Sequence, residues 1–478
     1  MTPPDPPPID RRATLAFWLL VTLIATVGAG KAVLYDTLDP DLFWHLRVAE
    51  QLRGDGIGPI VDRISFASIR EPWTPYSWLA ELGMEWGWNT FGWRVAVLVA
   101  ALMNVAVVFL IALGCLELAG KHRRLNCAVA TAFAAYLALP FLSFRPVTFA
   151  IALLGGCAWL LLRDRRSRTW AVWIIVPLTV LLTNIHLAAI LVPIWSACLF
   201  AGALWERRDV KRYGLLLALT TLACLASPML AGAVRTAWFY QSHDVMVASG
   251  VIAEMKPIWR GYAGAVTAVV LVAFMMSIFT NARPLRMGER LWLLAAGLLM
   301  LRLGKFAPMF ALIAAPALAA TMPPRKDRAL AARAVRAALM IVLGLCIATI
   351  VIAFPSSKWP MDLWINRRGP EVMGYPTVAA TYVEREVKPR SGRVITEFTT
   401  GGYVAWRLGD RYQVLVDGRT QLYTPQFWRS TYLGSDAEAA AVLRDANADA
   451  AIIPAGKSRF RKPLESLGWR SGFRDDFA

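Results

Sequence analysis

The 478-residue chain is 57% hydrophobic and 18% charged, with a mean hydropathy of +0.47. A soluble domain is about 45–50% apolar and about 25% charged, so the composition argues against an ordinary cytosolic enzyme and excludes collagen-like, disordered and disulfide-scaffold classes. The net charge of +18 comes from 51 Lys+Arg against 33 Asp+Glu. Much of the excess sits in short clusters between apolar runs, at 121–124, 163–168, 206–212 and 323–328. That is the positive-inside pattern of a polytopic membrane protein, and it speaks against nucleic acid as a partner.

Residues 1–12 are polar and Pro-rich. The apolar run after them has no small-residue cleavage site and reads as an uncleaved first span. Spans are predicted near 13–34, 93–119, 126–142, 147–162, 170–184, 187–205, 213–230, 262–280, 290–301, 306–321 and 337–354, about eleven transmembrane helices in all. With Arg11 and Arg12 inside, the basic clusters at 121–124, 163–168, 206–212, 283–290 and 323–336 all fall on that same side. The expected architecture is a transmembrane unit over 1–354, with a large first external loop at 35–92, and an extracytoplasmic unit over 355–478. In a bacterium this describes a multi-pass protein of the inner membrane whose outer face meets the periplasm.

Two spans, 170–184 and 290–301, are too short to cross about 30 Å at about 1.5 Å per residue. Polar residues follow each: Asn184-Ile185-His186 and Arg302-Leu303-Gly304-Lys305. Irregular backbone at depth is tolerated only against protein or a wet cavity, so the breaks predict a cavity on the outer side. In the tail, strands are expected at 392–398, 412–416 and 451–454, a helix at 436–447, and turns at Gly401-Gly402 and Asp417-Gly418. That alternation reads as a small α/β domain. No phosphate-binding loop occurs, so no nucleotide cofactor is expected. The six cysteines lie in or beside apolar segments without metal-ligand spacing and read as small core residues.

The first loop is the richest stretch. Asp39 or Asp41 suits an N-cap, Pro40 suits the first turn, and a helix is expected to about Gly54. Asp41 and His45 then share a face at i and i+4, a plausible divalent-metal or general-base pair. The competing view is an amphipathic helix on the membrane with Phe43 and Trp44 as interface anchors. Asp39-Pro-x-x-x-x-His45-Leu-Arg47, Gly54-Asp-Gly, Asp62 and Pro72-Trp-x-Pro-x-x-Trp78-Leu together resemble the first external loop of class C glycosyltransferases. They are closest to the catalytic subunit of oligosaccharyltransferase, especially archaeal forms. The resemblance implies a sugar taken from a polyprenyl-phosphate or polyprenyl-diphosphate carrier. It implies a catalytic Asp at the end of the first span, often acting through a divalent metal such as Mg or Mn. That role maps onto Asp39, with Asp41 as its near rival. The WWDYG signature is absent, and Ser143-Phe-Arg145-Pro146 stands where a second acidic pair is expected. Peptide sequon recognition is therefore not implied.

Other polar residues at outer helix ends fit the same cavity. Asn184 and His186 mark one break; Arg302 and Lys305 mark the other. Arg145, Arg302 and Lys305 are cations at depth, where charge is costly and functional, and Arg302 is the expected fork for a lipid phosphate. Glu254 is a candidate metal ligand or base with Asp39 and Asp41. Tyr403, Asp417 and Arg419 in the tail are of sugar-binding types. The resulting expectation is an inverting membrane glycosyltransferase using a lipid-linked sugar donor on the outer face. Its acceptor would be a polysaccharide, lipid or protein. The runner-up is a lipid or solute transporter or flippase, whose broken helices and buried charges look alike. A third option is a metal-free lipid-carrier ligase or polymerase that would leave Asp39 dispensable.

Overall fold

The computed structural model describes residues 11–34, 38–257, 284–323, 340, 375–475 and 477–478. The expected spans at 262–280 and 337–354, and nearly all of the basic cluster at 323–336, lie outside the described residues. The chain is mostly helical. Six helical segments among the described residues are long and apolar enough, by length and composition, to cross a membrane: Ala13–Ala32, Arg94–Ala119, Lys121–Phe141, Pro146–Ser167, Leu187–Glu206 and Gly304–Thr321.

In chain order the helices are α1 (Arg11–Leu34), α2 (Asp41–Asp55) and α3 (Trp78–Phe91), then α4 (Arg94–Ala119), α5 (Arg124–Ala138), α6 (Pro146–Ser167), α7 (Ile175–Ile185), α8 (Leu191–Glu206) and α9 (Val210–Ala223). α10 (Leu230–Ser242), α11 (Met287–Arg302) and α12 (Ala307–Thr321) follow. The two expected breaks are present. α7 stops at Ile185 and α11 at Arg302, and the next residue but none in each case, His186 and Leu303, is extended. α8 and α11 press backbone to backbone, since a Cβ on Gly202 would sit 2.2 Å from the Gly288 nitrogen. Small residues at such crossings are how membrane helices approach closely.

Charged residues from several loops meet at one end of the bundle. Arg212 pairs with Asp164 at 2.7 Å, Arg165 with Glu206 at 3.2 Å and Arg166 with Glu289 at 3.1 Å, while Arg123 donates to the Ala320 and Met322 carbonyls. The clusters at 121–124, 163–168, 206–212 and 284–290 therefore share one end. The first loop, the two helix breaks and residues 375–478 gather at the other.

Residues 375–478 contain α13 (Thr377–Glu386), β1 (Arg393–Thr396), α14 (Gly401–Leu408), β2 (Gln413–Val414), α15 (Asp436–Asp445) and β3 (Ala450–Ile452). The three strands form a parallel sheet in the order β2-β1-β3, with Val394 opposite both Val414 and Ala450. α15 opens with a capping box between Ser435 and Glu438. The expected turn at Gly401-Gly402 is instead the first turn of α14. The glycines serve close approach there: a Cβ on Gly401 would lie 1.8 Å from the Val416 carbonyl oxygen, and one on Gly402 would lie 3.3 Å from the Pro40 carbonyl. α14 thus packs on the N-terminus of α2, and Leu42, Phe43, Met84, Tyr403 and Val414 bury one shared apolar core. Phe43 and Trp44 are 0% and 8% exposed against this tail, so they are not membrane anchors.

Candidate active site

The α2 N-terminus differs in detail from expectation. Pro40 holds the N-cap position and makes no side-chain cap. Asp39 instead accepts a hydrogen bond from the Asp41 backbone N–H at 3.0 Å, an Asx turn that fixes both carboxylates relative to the chain. The other Asp39 oxygen accepts from the Ser143 hydroxyl. Lys31, at the end of α1, donates to the Leu142 carbonyl at 3.0 Å and also to the Leu139 carbonyl. The end of the first span is thereby tied to the loop that carries Ser143 and Arg145.

Arg145 lies just before Pro146, which opens α6. A residue before proline is driven out of the helical region, and Arg145 is fully extended (φ −154°, ψ 165°). Its guanidinium meets three carboxylates. Nη2 donates to Glu254 at 2.7 Å, Nη1 donates to Asp41 at 3.2 Å, and Nε lies 3.6 Å from Asp39. Glu254 comes from the turn Ala253–Met255. The neighbouring Lys256 carbonyl accepts from the Gly304 N–H at 2.7 Å, which docks this turn on the second helix break. There Lys305 sets its ammonium 5.2 Å from the Tyr240 ring centre, within electrostatic reach of Glu254 and Arg145.

Asp41 is the open member of the cluster. Its side chain keeps 35% of its surface against 13% for Asp39. Burial of the carboxyl, reinforced by the Asp39 charge and opposed by Arg145, pushes it up to about 7. Burial alone would lower the Arg145 guanidinium, but Asp39, Glu254 and Asp41 outweigh it and hold it above its usual value.

Asp41 and His45 do not act as a pair. Asp41 accepts from Trp44 Nε1 at 3.0 Å, whereas His45 Nδ1 meets Glu81 Oε1 at 2.8 Å in a buried contact. Burial drives His45 well below its ordinary value and raises Glu81 to about 8, so both shifts favour an uncharged pair. Glu81 was missed from the sequence; its one signal is an acid between Ala80 and Leu82 on an apolar helix start.

The remaining expected residues separate into two groups. Asn184 uses its amide within the protein, accepting from Trp78 Nε1 at 2.9 Å and donating to the Val180 and Ala226 carbonyls. His186 accepts the Ala188 N–H through Nδ1, capping the turn that follows the break. Arg302 is exposed at the end of α11 and stays apart from the carboxylate cluster, while Lys305 joins it. In the tail, Tyr403, Asp417 and Arg419 are 1%, 0% and 0% exposed. Tyr403 stacks on Tyr375, and Arg419 pairs with Asp417 and, at 2.8 Å, with Asp62 of the first loop. The expectation that they bind sugar fails on burial: Arg419, held by Asp417, clamps the tail to Asp62 of the first loop, and the Tyr403 hydroxyl is bonded to Thr377 within the tail.

A divalent metal also fits poorly. Asp39, Asp41 and Glu254 converge, but on a guanidinium. Among the described residues no group of three His, Cys, Asp or Glu side chains is arranged to hold an ion.

No protein-family model and no curated protein sequence matches the chain. Solved structures do. The oligosaccharyltransferase AglB from Archaeoglobus fulgidus, in complex with an inhibitory peptide and a dolichol-phosphate, aligns over 92% of this chain and 69% of its own at a TM-score of 0.60 and 14% identity. The apo form of the A. fulgidus oligosaccharyltransferase aligns over 90% and 69% at a TM-score of 0.55 and 14% identity. Its complex with Zn and sulfate aligns over 91% and 67% at 0.52 and 15% identity. The likeness read in the first loop therefore extends through the molecule, and the chain has the fold of the oligosaccharyltransferase catalytic subunit, a class C glycosyltransferase fold.

Proposed function

We propose that the chain is an integral membrane glycosyltransferase that moves a sugar from a polyprenyl-phosphate-type lipid donor to an acceptor on the outer face of the membrane. The observation that carries this reading is the convergence of Asp39, Asp41, Glu254 and Arg145 from three distant stretches of sequence, at the end of the bundle away from its paired arginines. A transporter needs no such set at a partly open surface. The archaeal enzyme that shares the fold was captured with a dolichol-phosphate, which supports a lipid-linked donor.

In this reading the lipid tail lies along the apolar helices and its phosphate faces Arg145 and Lys305. The acceptor hydroxyl approaches Asp41, whose side chain is the most exposed of the three carboxylates around Arg145. Asp41 takes the hydroxyl proton as the acceptor oxygen attacks the anomeric carbon, opposite the leaving phosphate, so configuration inverts. Asp39, with both oxygens engaged inside the protein, positions the Asp41 backbone and Ser143. The unit over 1–354 carries the chemistry, and the unit over 355–478, whose described residues from Tyr375 on pack against the first loop, lies on the periplasmic side of a bacterial inner membrane.

The test is transfer of labelled sugar from a polyprenyl-phosphate donor in proteoliposomes supplied with envelope acceptors. Asp41→Asn keeps size and can keep the hydrogen bond from Trp44 Nε1, but removes the base and one of the two acceptor oxygens. It should insert and fold normally yet lose about 10²–10⁴-fold in rate, the scale of a general base. A wild-type rate in this variant removes Asp41 from the chemistry, and Asp39→Asn then tests its neighbour.

A further inference from the structure

The carboxylates that would hold a divalent ion already surround a cation, and the cation belongs to the chain. Each of the three nitrogens of Arg145 faces a different carboxylate: Nη2 faces Glu254, Nη1 faces Asp41 and Nε faces Asp39. The oxygens are thus spread around the rim of a planar group at 2.7–3.6 Å from its nitrogens. A divalent ion needs oxygens gathered about a point, at about 2.0–2.6 Å. It could enter only by expelling a guanidinium whose backbone is held extended by Pro146 and whose side chain is 16% exposed.

The guanidinium also keeps donors in reserve. It has five N–H groups. Two hydrogen bonds to carboxylates are formed, and the buried Nε has no hydrogen-bond partner. A buried donor left unsatisfied is costly and calls for an explanation. Asp39, 3.6 Å away, is the acceptor nearest Nε, and the Nη hydrogens not spent on Glu254 and Asp41 are the donors left for an incoming phosphate oxygen. Lys305 stands beside the cluster as a second positive charge.

We propose that Arg145 takes the place of a metal ion in this enzyme: its guanidinium receives the charge that develops on the departing lipid phosphate, so sugar transfer needs no divalent cation. The proposal rests on the lipid-phosphate reading above. The acceptor oxygen bonds to the anomeric carbon as the bond from that carbon to the phosphate oxygen breaks. The electron pair of the broken bond stays on the phosphate, which gains one negative charge facing Arg145. The acceptor proton passes to the Asp41 carboxylate. A planar fork suits two phosphate oxygens at once, which a lysine cannot match.

Two binding measurements on the detergent-solubilised full chain decide the matter, independently of turnover. The first follows Mn²⁺ by electron paramagnetic resonance. The second follows farnesyl phosphate by calorimetry with EDTA present. The wild type should bind no stoichiometric Mn²⁺ up to millimolar concentrations, yet should bind farnesyl phosphate in EDTA. Both Arg145→Gln and Arg145→Lys should bind farnesyl phosphate roughly tenfold or more weakly, the size of one lost charge-assisted hydrogen bond. Stoichiometric Mn²⁺ binding by the wild type, lost in Asp39→Asn and required for farnesyl phosphate binding, overturns the role of Arg145 and leaves the lipid-phosphate reading standing. Failure to bind farnesyl phosphate with or without Mn²⁺ overturns that reading itself. If the Arg145 variants do not fold, the wild-type titrations alone still separate these outcomes.

Discussion

Asp41 carries the clearest consequence at the scale of single residues. A base must be deprotonated to work, and burial beside Asp39 holds this carboxyl at about 7. The transfer rate should therefore rise with pH, by about tenfold per unit below that value, and level off above it. Initial rates across the acidic to mildly alkaline range test this; a profile already flat well below neutrality excludes Asp41 as the base. The individual acids were legible in the sequence, because a carboxylate or arginine among apolar runs stands out. Their grouping was only partly so. Helix spacing put Asp41 and His45 on one face, but spacing does not say what packs against that face. Trp44 and Arg145 take Asp41, and Glu81 takes His45. The tail residues misled for the same reason: Asp417 and Arg419 have sugar-binding chemistry, and only the fold shows that Asp62 fills their space.

Among the elements, α14 is the most sharply constrained. Its first residue, Gly401, faces the Val416 carbonyl, and the obstacle is backbone, which cannot rotate aside. Gly401→Ala should destabilise the protein by about 1–3 kcal/mol or more, as overpacking does. Gly83→Ala is the matched control. Gly83 sits in α3 with nothing within 4 Å of its added Cβ, so alanine there should stabilise by about 0.5–1 kcal/mol through helix propensity. Thermal unfolding in detergent should order the three proteins with Gly401→Ala lowest; equal midpoints for Gly401→Ala and the wild type would show that α14 does not press on the strand end. The strands and the helix at 436–447 were readable from period and capping. The two helix breaks were readable from length. The α14 helix was not, since a pair of glycines signals a turn unless a neighbouring backbone is known to approach.

For the whole molecule, charge is segregated between the two ends of the bundle, and the proposed orientation rests on it. Arg123, Arg165, Arg166 and Arg212 lie together at one end, bound to carboxylates or carbonyls, and the carboxylate cluster lies at the other. With the arginine end cytoplasmic, reporter fusions after residues 70, 165, 245 and 400 should report outside, inside, outside and outside. A cytoplasmic signal at 400 would place the tail and the first loop on different faces, which their shared core forbids. That shared core also has a tempo. Asp62 is fully buried against Arg419, and the Ser65 hydroxyl donates to the Leu415 carbonyl at 2.7 Å across 350 residues of sequence. At roughly 5–20 residues per second, the first loop emerges on the order of 20–70 s before the chain that covers it. During that interval Asp62 is hydrated, Phe43 is bare, and the wall beside Asp41 does not exist. The tail completes a site whose first acids, Asp39 and Asp41, are made hundreds of residues earlier, so a nascent chain lacks one wall of that site until the tail has emerged.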